Sequence, residues 1–466
     1  MGAGPNGLAA AIELARNGIS VLVLEASRTV GGAARTEELT LPGFRHDVGS
    51  AVFPMGVGSP FFASLPLAEH GLEWIHHEVP LAHPLDGGRA VLLRRSVEDT
   101  AWALGDDAPA YQRLMRPFVR RWETLAEHVL DTPLRVPRDP LLMARFGLLA
   151  VQSAERLAAT FDTIEARALL GGNAAHSGAP LDSAPTAAIA LVLMAAGHAV
   201  GWPVAKGGAG SITRALASLL ESFGGKIETD ARVGSLDELP PARAVLLAIT
   251  SRQVAAVAGS RLPAGYRRRL ATWRYGAGAF KLDWALGGPI PWLSDACRRA
   301  GTVHLGGSFA ELQASEAAPA AGRAAERPFV LLAQPSLVDP GRAPEGQHTA
   351  WAYCHVPNGW QGDATAAVEA QLERFAPGFG ERVLARRAHT PGELEAWDTN
   401  LVGGDVNGGA FTLLQTLGPG RWKLDPWTTP VKGLYVCSAS TPPGGGVHGM
   451  CGYHAARAAL TKSFGM

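Results

Sequence analysis

The first residues of the chain combine a glycine-rich segment with the pattern of a helix followed by a strand. After residues 2–7, apolar side chains recur three or four positions apart until Asn17 and Gly18 supply a stop signal. Residues 19–24 are a continuous aliphatic run ending in Glu25, which is typical of a parallel strand buried on both faces. This order predicts half of a dinucleotide-binding unit.

The middle of the chain alternates between helical and strand-like patterns. Residues 65–205 show long helical periodicity broken by Pro-rich segments, which predicts a helical cap. Residues 225–233 and 244–249 are short apolar strands, and residues 277–356 predict several more strands between Gly and Pro turns. Residues 314–327 are rich in Ala, Glu and Arg without apolar periodicity, so we expect a solvated helix or loop there.

Composition narrows the class of protein. At 466 residues the chain is long enough for two domains, and its 42 Lys plus Arg equal its 42 Asp plus Glu, which excludes a basic field for nucleic acid. No secretory signal opens the sequence, and the four cysteines form no C-x-x-C pair, so we expect a reducing, cytoplasmic setting without a disulfide scaffold or thiolate metal site. The most apolar stretch, residues 187–200, is shorter than the roughly 20 residues that span a bilayer, and predicts a buried helix.

The glycines at the start of the chain match a phosphate-binding fingerprint. Gly2, Gly4 and Gly7 form G-x-G-x-x-G, which opens the predicted helix, and the acid Glu25 follows at the end of the next strand. Such glycines let the backbone approach a pyrophosphate at a helix N-terminus, and the acid can accept hydrogen bonds from ribose hydroxyls. The alternative is a glycine-rich turn beside a carboxylate that is satisfied within the protein.

Further glycine segments recur elsewhere in the chain. Residues 31–36 contain a glycine doublet with Arg35, and residues 43–50 end in a Gly-Ser pair. Near the C-terminus a strand at residues 433–440 leads through a loop rich in Gly and Pro into a helix from about residue 450. There the glycines allow close backbone approach, and the helix N-terminus places partial positive charge near a ligand. For Arg35 alone, a surface ion pair is the ordinary alternative.

With these segments the chain resembles the phytoene desaturase-like branch of the FAD-dependent amine oxidase superfamily, near the group of pyridine nucleotide-disulfide oxidoreductase domain proteins. In that branch the glycine doublet and arginine contact the pyrophosphate, and the C-terminal glycine loop meets the flavin ring. The resemblance follows the whole chain in order, with specific motifs at both ends only. It implies a non-covalently bound FAD, no metal, and as cofactor contacts Gly2, Gly4, Pro5, Asn6, Gly7, Glu25, Ala26, Gly31, Gly32, Ala33, Arg35, Gly49, Ser50, Val233, Ser438, Ala439, Gly446, Val447, His448 and Gly449.

Periodicity and resemblance together predict an α/β architecture. A Rossmann-like FAD-binding domain with a parallel sheet would comprise residues 1–64, 206–255 and 400–466. A substrate domain with a mixed sheet and the helical cap would comprise residues 65–205 and 256–399. Because Gly2 follows Met1 directly, the strand that precedes the fingerprint in such domains is not contained in the sequence, and we expect a gap at this central position.

The resemblance implies hydride transfer from a hydrophobic, often isoprenoid, substrate to the flavin, which supplies the chemistry itself. Flavin-dependent isomerisation or saturation, amine oxidation within a cage of Trp351, Tyr353 and Trp360, and non-catalytic flavin binding are the alternatives. Core packing is the ordinary role of such aromatic residues. The oligomeric state stays open.

A histidine, two cysteines and an apolar segment beside an arginine add three expectations. His448 is the one titratable side chain within the flavin loop and so a candidate for proton transfer, with a histidine that hydrogen-bonds the loop backbone as the alternative. Cys437 and Cys451 flank this loop, and small buried thiols are the expectation for both. Apolar residues beside an arginine at 141–149 suggest peripheral membrane contact, although a helix that packs inward would give the same pattern.

Overall fold

A computed structural model describes residues 1–418 and 424–466 of the protein. Within these residues the helices are α1 (Pro5–Arg16), α2 (Pro54–Val57), α3 (Pro60–Ala63), α4 (Val97–Trp102), α5 (Ala108–Arg120), α6 (Trp122–Val129), α7 (Pro140–Ala150), α8 (Ala154–Ala158), α9 (Ile164–Ala175), α10 (Thr186–Ala199), α11 (Ala209–Ser222), α12 (Ser251–Ala258), α13 (Ala264–Ala271), α14 (Phe309–Ala320), α15 (Thr365–Phe375), α16 (Phe379–Arg382), α17 (Pro391–Trp397) and α18 (Met450–Ala459). The strands are β1 (Leu22–Leu24), β2 (Thr36–Glu38), β3 (Arg45–Asp47), β4 (Trp74–Ile75), β5 (Val79–Leu85), β6 (Arg89–Leu93), β7 (Val204–Ala205), β8 (Lys226–Glu228), β9 (Val245–Leu247), β10 (Gly278–Leu286), β11 (Ala300–Leu305), β12 (Val330–Ala333), β13 (His348–Val356), β14 (Val383–His389) and β15 (Leu434–Val436).

The two ends of the chain and residues 204–258 form a parallel α/β unit. Strand β1 pairs in parallel with β8, and β15 pairs in parallel with β9. Helix α1 packs between α11 and α18, because its apolar positions Leu8, Ile12 and Ala15 are buried. This arrangement confirms the predicted helix and parallel strands. Strand β1 is shorter than predicted, however, and Leu22 is 40 % exposed, so it is not buried on both faces along its length.

The two parallel strand pairs are joined through the first residues of the chain. The Gly2 N–H donates to the Leu24 carbonyl (2.8 Å), and the Met1 carbonyl accepts from the Ala248 N–H (2.9 Å). The remainder of the space between β1 and β9 is a cavity of about 660 Å³, lined by aliphatic residues of both strands and of α1. This cavity lies where the sequence predicts a gap, at the central position of the strand that precedes the glycine fingerprint.

A second sheet of seven strands, in the order β14-β10-β13-β12-β11-β5-β6, carries the helical cap. The pairing is antiparallel except between β11 and β5. One face packs in a core with the cap helices, which contribute Tyr111, Leu169 and Met194, and the opposite face packs on α15. The mixed sheet and cap are therefore as predicted, whereas the division of the chain into two domains stays a prediction.

Two local predictions are wrong. The strand predicted up to Val233 ends at Glu228, because Asp230 adopts a left-handed φ of 53° and the backbone turns. Residues 309–320 form α14 with Leu312 and Glu316 buried, although composition suggested a solvated segment. Glu316 is buried because it pairs with the side chain of His355 (2.8 Å).

A buried ion network centred on Arg342 joins strand β3 and the start of α11 to the segment between β12 and β13. The Arg342 guanidinium donates to Asp47 at the end of β3 (3.0 Å) and to Asp339 (2.8 Å), and all three side chains are buried. Asp47 also accepts from the Ala209 N–H at the start of α11 (2.8 Å), and Asp339 accepts from the Gly207 N–H (2.8 Å). Residues 43–50 and the residues that precede and begin α11 thus meet around one cation.

The apolar helix α10 lies within the cap, as the sequence predicts. Across the described residues, none of the helices combines the length and the hydropathy needed to cross a bilayer.

Candidate cofactor site

The glycines of residues 2–7 form a tight turn that depends on glycine at Gly2, which has a positive φ of 95°, and at Gly7. A Cβ on Gly7 would lie 1.9 Å from the Gly2 carbonyl oxygen, and one on Gly32 would lie 3.1 Å from Cα of Gly4. Gly4 is the N-cap of α1 and offers no side-chain hydrogen bond to the helix, and no acid lies in the first turn. The positive end of α1 is therefore available to an anionic group.

Glu25 is held at the end of β1 by backbone donors. Its two carboxylate oxygens accept from the Ala3 N–H (2.6 Å) and the Ser27 N–H (2.8 Å), and the residue is 7 % exposed. A carboxylate oxygen accepts more than one hydrogen bond, so capacity remains on the side that faces the cavity. Glu25 thus braces the glycine turn and still offers an acceptor to ribose hydroxyls.

The glycine doublet and its arginine lie beside this turn. Arg35 donates from Nε to the Gly32 carbonyl (3.1 Å), and its guanidinium lies 3.8 Å from the ring centroid of Trp397. Gly49 supports the doublet from behind, because a Cβ there would lie 2.2 Å from the Ala33 carbonyl oxygen. Arg35 Nε also lies 3.9 Å from the Glu37 carboxylate, so the ion pair considered from sequence is present as a long contact, while stacking on Trp397 keeps the guanidinium at the cavity wall.

The C-terminal loop enters the site between β15 and α18. His448 is buried, and its Nδ1 accepts from the Met450 N–H (3.0 Å) while its carbonyl accepts from the Ser59 hydroxyl (2.7 Å). Burial lowers the pKa of His448 to about 4, partly offset by the backbone of Gly445. This geometry favours a structural role for the ring over proton transfer. Cys437 and Cys451 are buried free thiols as expected, and burial raises the pKa of each to about 12.

These segments surround one cavity of about 310 Å³. The predicted residues that line it are Gly2, Gly4, Pro5, Asn6, Gly7, Glu25, Ala26, Gly32, Ala33, Arg35, Ser50, Val233, Ser438, Ala439, Gly446 and Val447. Val233 lines the cavity from a turn, not from the end of a strand. The remaining four, Gly31, Gly49, His448 and Gly449, do not line the cavity but adjoin residues that do, and their contact with a cofactor stays a prediction.

Sequence reasoning missed a further wall of the cavity. Thr250 and Gln253 at the start of α12, and Trp397, Asp398 and Asn400 after α17, line it as well. Burial raises the pKa of Asp398, and the nearby Arg35 opposes that shift. No motif marks these residues, which reach the cavity because the chain returns from the second sheet at this point.

The residues present fit an FAD molecule. A diphosphate needs backbone N–H groups and positive charge, which the α1 N-terminus and Arg35 supply, and a ribose diol needs an acceptor, which Glu25 supplies. A side chain at Gly7 or Gly32 would meet the backbone of Gly2 or Gly4, so glycine at these positions keeps the loops of the cavity wall in close contact.

A second cavity of about 110 Å³ adjoins the first, and both include Ala439 in their walls. It lies between the cap and the C-terminal loop, where His176, Ile189, Trp273 and Phe411 face Gly445. Its mixed apolar and polar wall makes it the candidate substrate position.

The residues considered for an aromatic cage do not surround a common space. Trp351 and Tyr353 pack against each other on the cap side of the second sheet (centroids 5.4 Å apart), whereas Trp360 packs on Phe280 in the core of the opposite face. Core packing therefore accounts for all three.

The glycine turn, the ribose-binding acid and the paired sheets define a protein that binds a dinucleotide cofactor. The family described as "Flavin containing amine oxidoreductase" matches residues 6–259, more than half of the chain, and the chain belongs to that family. The membership confirms the superfamily indicated by sequence and implies a flavin cofactor. The phytoene desaturase-like branch stays a prediction.

Three comparisons place the chain among its relatives. It is 26 % identical over 543 aligned residues to pyridine nucleotide-disulfide oxidoreductase domain-containing protein 2 of Rattus norvegicus, covering 98 % of this chain and 92 % of that protein. It is 28 % identical over 130 residues to 4,4'-diapolycopen-4-al dehydrogenase of Metabacillus indicus, covering 26 % of this chain and 25 % of that protein. The structure of cyclohexylamine oxidase from Brevibacterium oxydans IH-35A matches with a TM-score of 0.61 at 16 % identity, covering 100 % of this chain and 98 % of that one, which shows a shared fold.

Proposed function

We propose that this protein is an FAD-dependent oxidoreductase that dehydrogenates a hydrophobic, isoprenoid-like substrate. The observation that carries the proposal is the second cavity, which touches the cofactor cavity at Ala439 and is walled by Ile189, Trp273 and Phe411. The relative from Metabacillus indicus is named as the dehydrogenase of an apolar aldehyde, which supports an apolar substrate here.

In this proposal the side chains bind and orient, while the flavin, when bound, accepts a hydride. The α1 N-terminus and Arg35 hold the diphosphate, and Glu25 holds the adenosine ribose. Residues 446–447 form the surface on which the ring rests. The N-cap Gly449 of α18 makes no side-chain hydrogen bond, although His448 accepts from the Met450 N–H, and the partial positive charge at this helix end would favour the anionic reduced ring.

Amine oxidation is the second candidate, because the fold is shared with an amine oxidase of known structure. The dispersed positions of Trp351, Tyr353 and Trp360 do not support it. A further alternative is that reduced flavin isomerises or saturates a double bond of a substrate in the same cavity. The last alternative is a protein that binds FAD without catalysing a reaction.

The test is anaerobic bleaching of the visible flavin band of the purified protein. Geranylgeraniol, cyclohexylamine and NADPH are added separately, with the Glu25→Ala variant as a control of low flavin content. We expect bleaching by the isoprenoid alone. Bleaching by the amine alone would replace the proposal with amine oxidation, and a flavin that no substrate reduces would reject dehydrogenation in favour of binding.

We further propose that α7 contacts an anionic lipid surface, from which an apolar substrate could be taken up. Leu141 and Leu148 are 82 % and 73 % exposed on one helix face, together with Val151, and the exposed Arg145 lies on the same face. Sedimentation with phosphatidylglycerol vesicles should fall in a Leu141→Glu/Leu148→Glu variant, but not with Leu384→Glu, which alters an exposed leucine of β14. Equal sedimentation of all three proteins would reject this contact.

A further inference from the structure

His176 lines the second cavity and is hydrogen-bonded to a fully buried histidine behind it. His176 follows α9, and its Nε2 lies 2.8 Å from Nε2 of His304 on β11. Trp202 packs edge-on against the His176 ring, with centroids 5.5 Å apart. None of the motifs described above includes either histidine.

The surroundings of His304 decide which nitrogen of each ring carries a proton. In the described residues, Nδ1 of His304 is fully buried and has no hydrogen-bond partner. A proton there would be a buried donor without an acceptor, so the favoured tautomer carries it on Nε2. His304 then donates to Nε2 of His176, and His176 must carry its own proton on Nδ1.

Both rings are neutral near pH 7. Burial lowers the pKa of His176 to about 3, with a smaller contribution from nearby His355, and burial also lowers the pKa of His304. His355 itself pairs with the buried Glu316 and is not part of the cavity wall. The pair therefore offers an uncharged N–H group.

Nδ1 of His176 is open to the cavity. It makes no hydrogen bond within residues 1–418 and 424–466, and it is not among the fully enclosed nitrogen atoms. His176 lines the cavity opposite Gly444 and Gly445 of the loop that leads to the cofactor site. The wall of this cavity combines apolar side chains with polar ones such as Asn407 and Gln415, and the neutral N–H group of His176 is a donor close to the position assigned to the flavin.

We propose that His176 donates a hydrogen bond from Nδ1 to an oxygen atom of the substrate, and that His304 is the positioning residue that fixes its tautomer. The inference rests on the proposed function and narrows it, because the substrate becomes an apolar molecule with a carbonyl or hydroxyl oxygen. A neutral N–H repels an alkylammonium ion, so the same geometry disfavours amines in this cavity.

The test is a pair of probes that differ at one group. Geranylacetone, and the hydrocarbon in which its carbonyl is a methylene, are titrated into the FAD-loaded protein, with binding followed by the shift of the flavin band. For His176→Leu we expect a roughly three- to tenfold rise in Kd for the ketone and no change for the hydrocarbon. His198→Gln, which alters a buried histidine of α10 outside this cavity, is the matched control.

His304 requires a readout that simple repacking would not change. His304→Leu removes the donor to His176 and should weaken ketone binding as His176→Leu does, whereas His304→Gln retains an N–H donor and should restore it. Equal losses for ketone and hydrocarbon in both His304 variants would overturn the positioning role. If a His304 variant fails to fold, nitrogen-15 spectra of histidine-labelled wild type report the tautomer, and a proton on Nε2 of His176 would equally overturn the inference.

This experiment separates the inference from the proposed function. A ketone preference that depends on His176 supports the donor even if no isoprenoid bleaches the flavin. Bleaching by an isoprenoid, together with equal binding of ketone and hydrocarbon in wild type and His176→Leu, rejects the donor and leaves dehydrogenation standing.

Discussion

Replacing Glu25 with Ala separates the two roles of this carboxylate. In the protein without cofactor, the change removes the acceptors of the buried Ala3 N–H and of the half-buried Ser27 N–H. A buried hydrogen bond to a charged group contributes about 1.5–3 kcal/mol and a partly solvated one about 0.5–1 kcal/mol. We therefore expect the free energy of unfolding to fall by about 2–4 kcal/mol.

The second role appears only when the adenosine ribose is present. Loss of a charge-assisted hydrogen bond to a ribose hydroxyl should cost about 1.5–3 kcal/mol, which corresponds to a rise in Kd of roughly 10- to 160-fold. FMN lacks the adenosine, so it should bind weakly to the wild type and be almost unaffected by Glu25→Ala.

Urea unfolding measures the first effect, and calorimetric titration of FAD and FMN measures the second. Glu228→Ala, which alters an exposed carboxylate on the partner strand β8, is the matched control and should change neither. If Glu25→Ala weakens FAD and FMN by the same factor, the carboxylate only braces the glycine turn. The ribose assignment would then be wrong.

Three further outcomes follow from the structure. Gly446→Val should lose FAD, because residue 446 lines the cofactor cavity and a Cβ there would lie 3.0 Å from the His448 ring, which would displace the loop. Gly444→Val, with a similar positive φ but open space around it, should keep FAD, and equal flavin content in the two folded variants would remove the loop from the site. Arg342→Met should lower the free energy of unfolding by about 3–5 kcal/mol, because it leaves buried carboxylates unpaired, while Arg327→Met at an exposed pair should have little effect in the same urea titration. Burial lowers the pKa of His83 to about 4, so below about pH 6.5 the unfolded chain binds a proton that the folded chain does not. The free energy of unfolding should therefore fall between pH 6.5 and 4 by about 1.4 kcal/mol per pH unit for each such histidine. A urea midpoint unchanged from pH 7 to pH 5 would contradict this.

The cofactor site could be predicted from the sequence because the residues that define it lie close together along the chain. The glycine turn, the helix and the acid at the end of a strand follow one another directly in the sequence. The pattern of apolar residues also predicts helices α1, α10 and α18. The wall formed by Trp397 and Asp398 could not be predicted, because it depends on where the chain returns from the second sheet.

The errors in the prediction arise from contacts that are distant in sequence. The apolar run towards Val233 suggests a strand, but the Ala231 N–H donates to the Glu25 carbonyl and the chain turns away after β8. The composition of α14 suggests solvent exposure, but Glu316 is buried because it pairs with His355 of β13. The His176–His304 contact likewise joins a cap helix to a strand 128 residues away.

The buried Arg342 network also determines how this enzyme could be recombined with its relatives. Asp47 belongs to the cofactor-binding part of the chain, whereas Arg342 and Asp339 belong to the part that carries the second sheet. A chimera that exchanged only one part would enclose an unmatched charge at the junction, at a cost of about 3–5 kcal/mol. A chimera that exchanges the substrate-binding part between such enzymes must therefore take Asp47, Arg342 and Asp339 from the same parent.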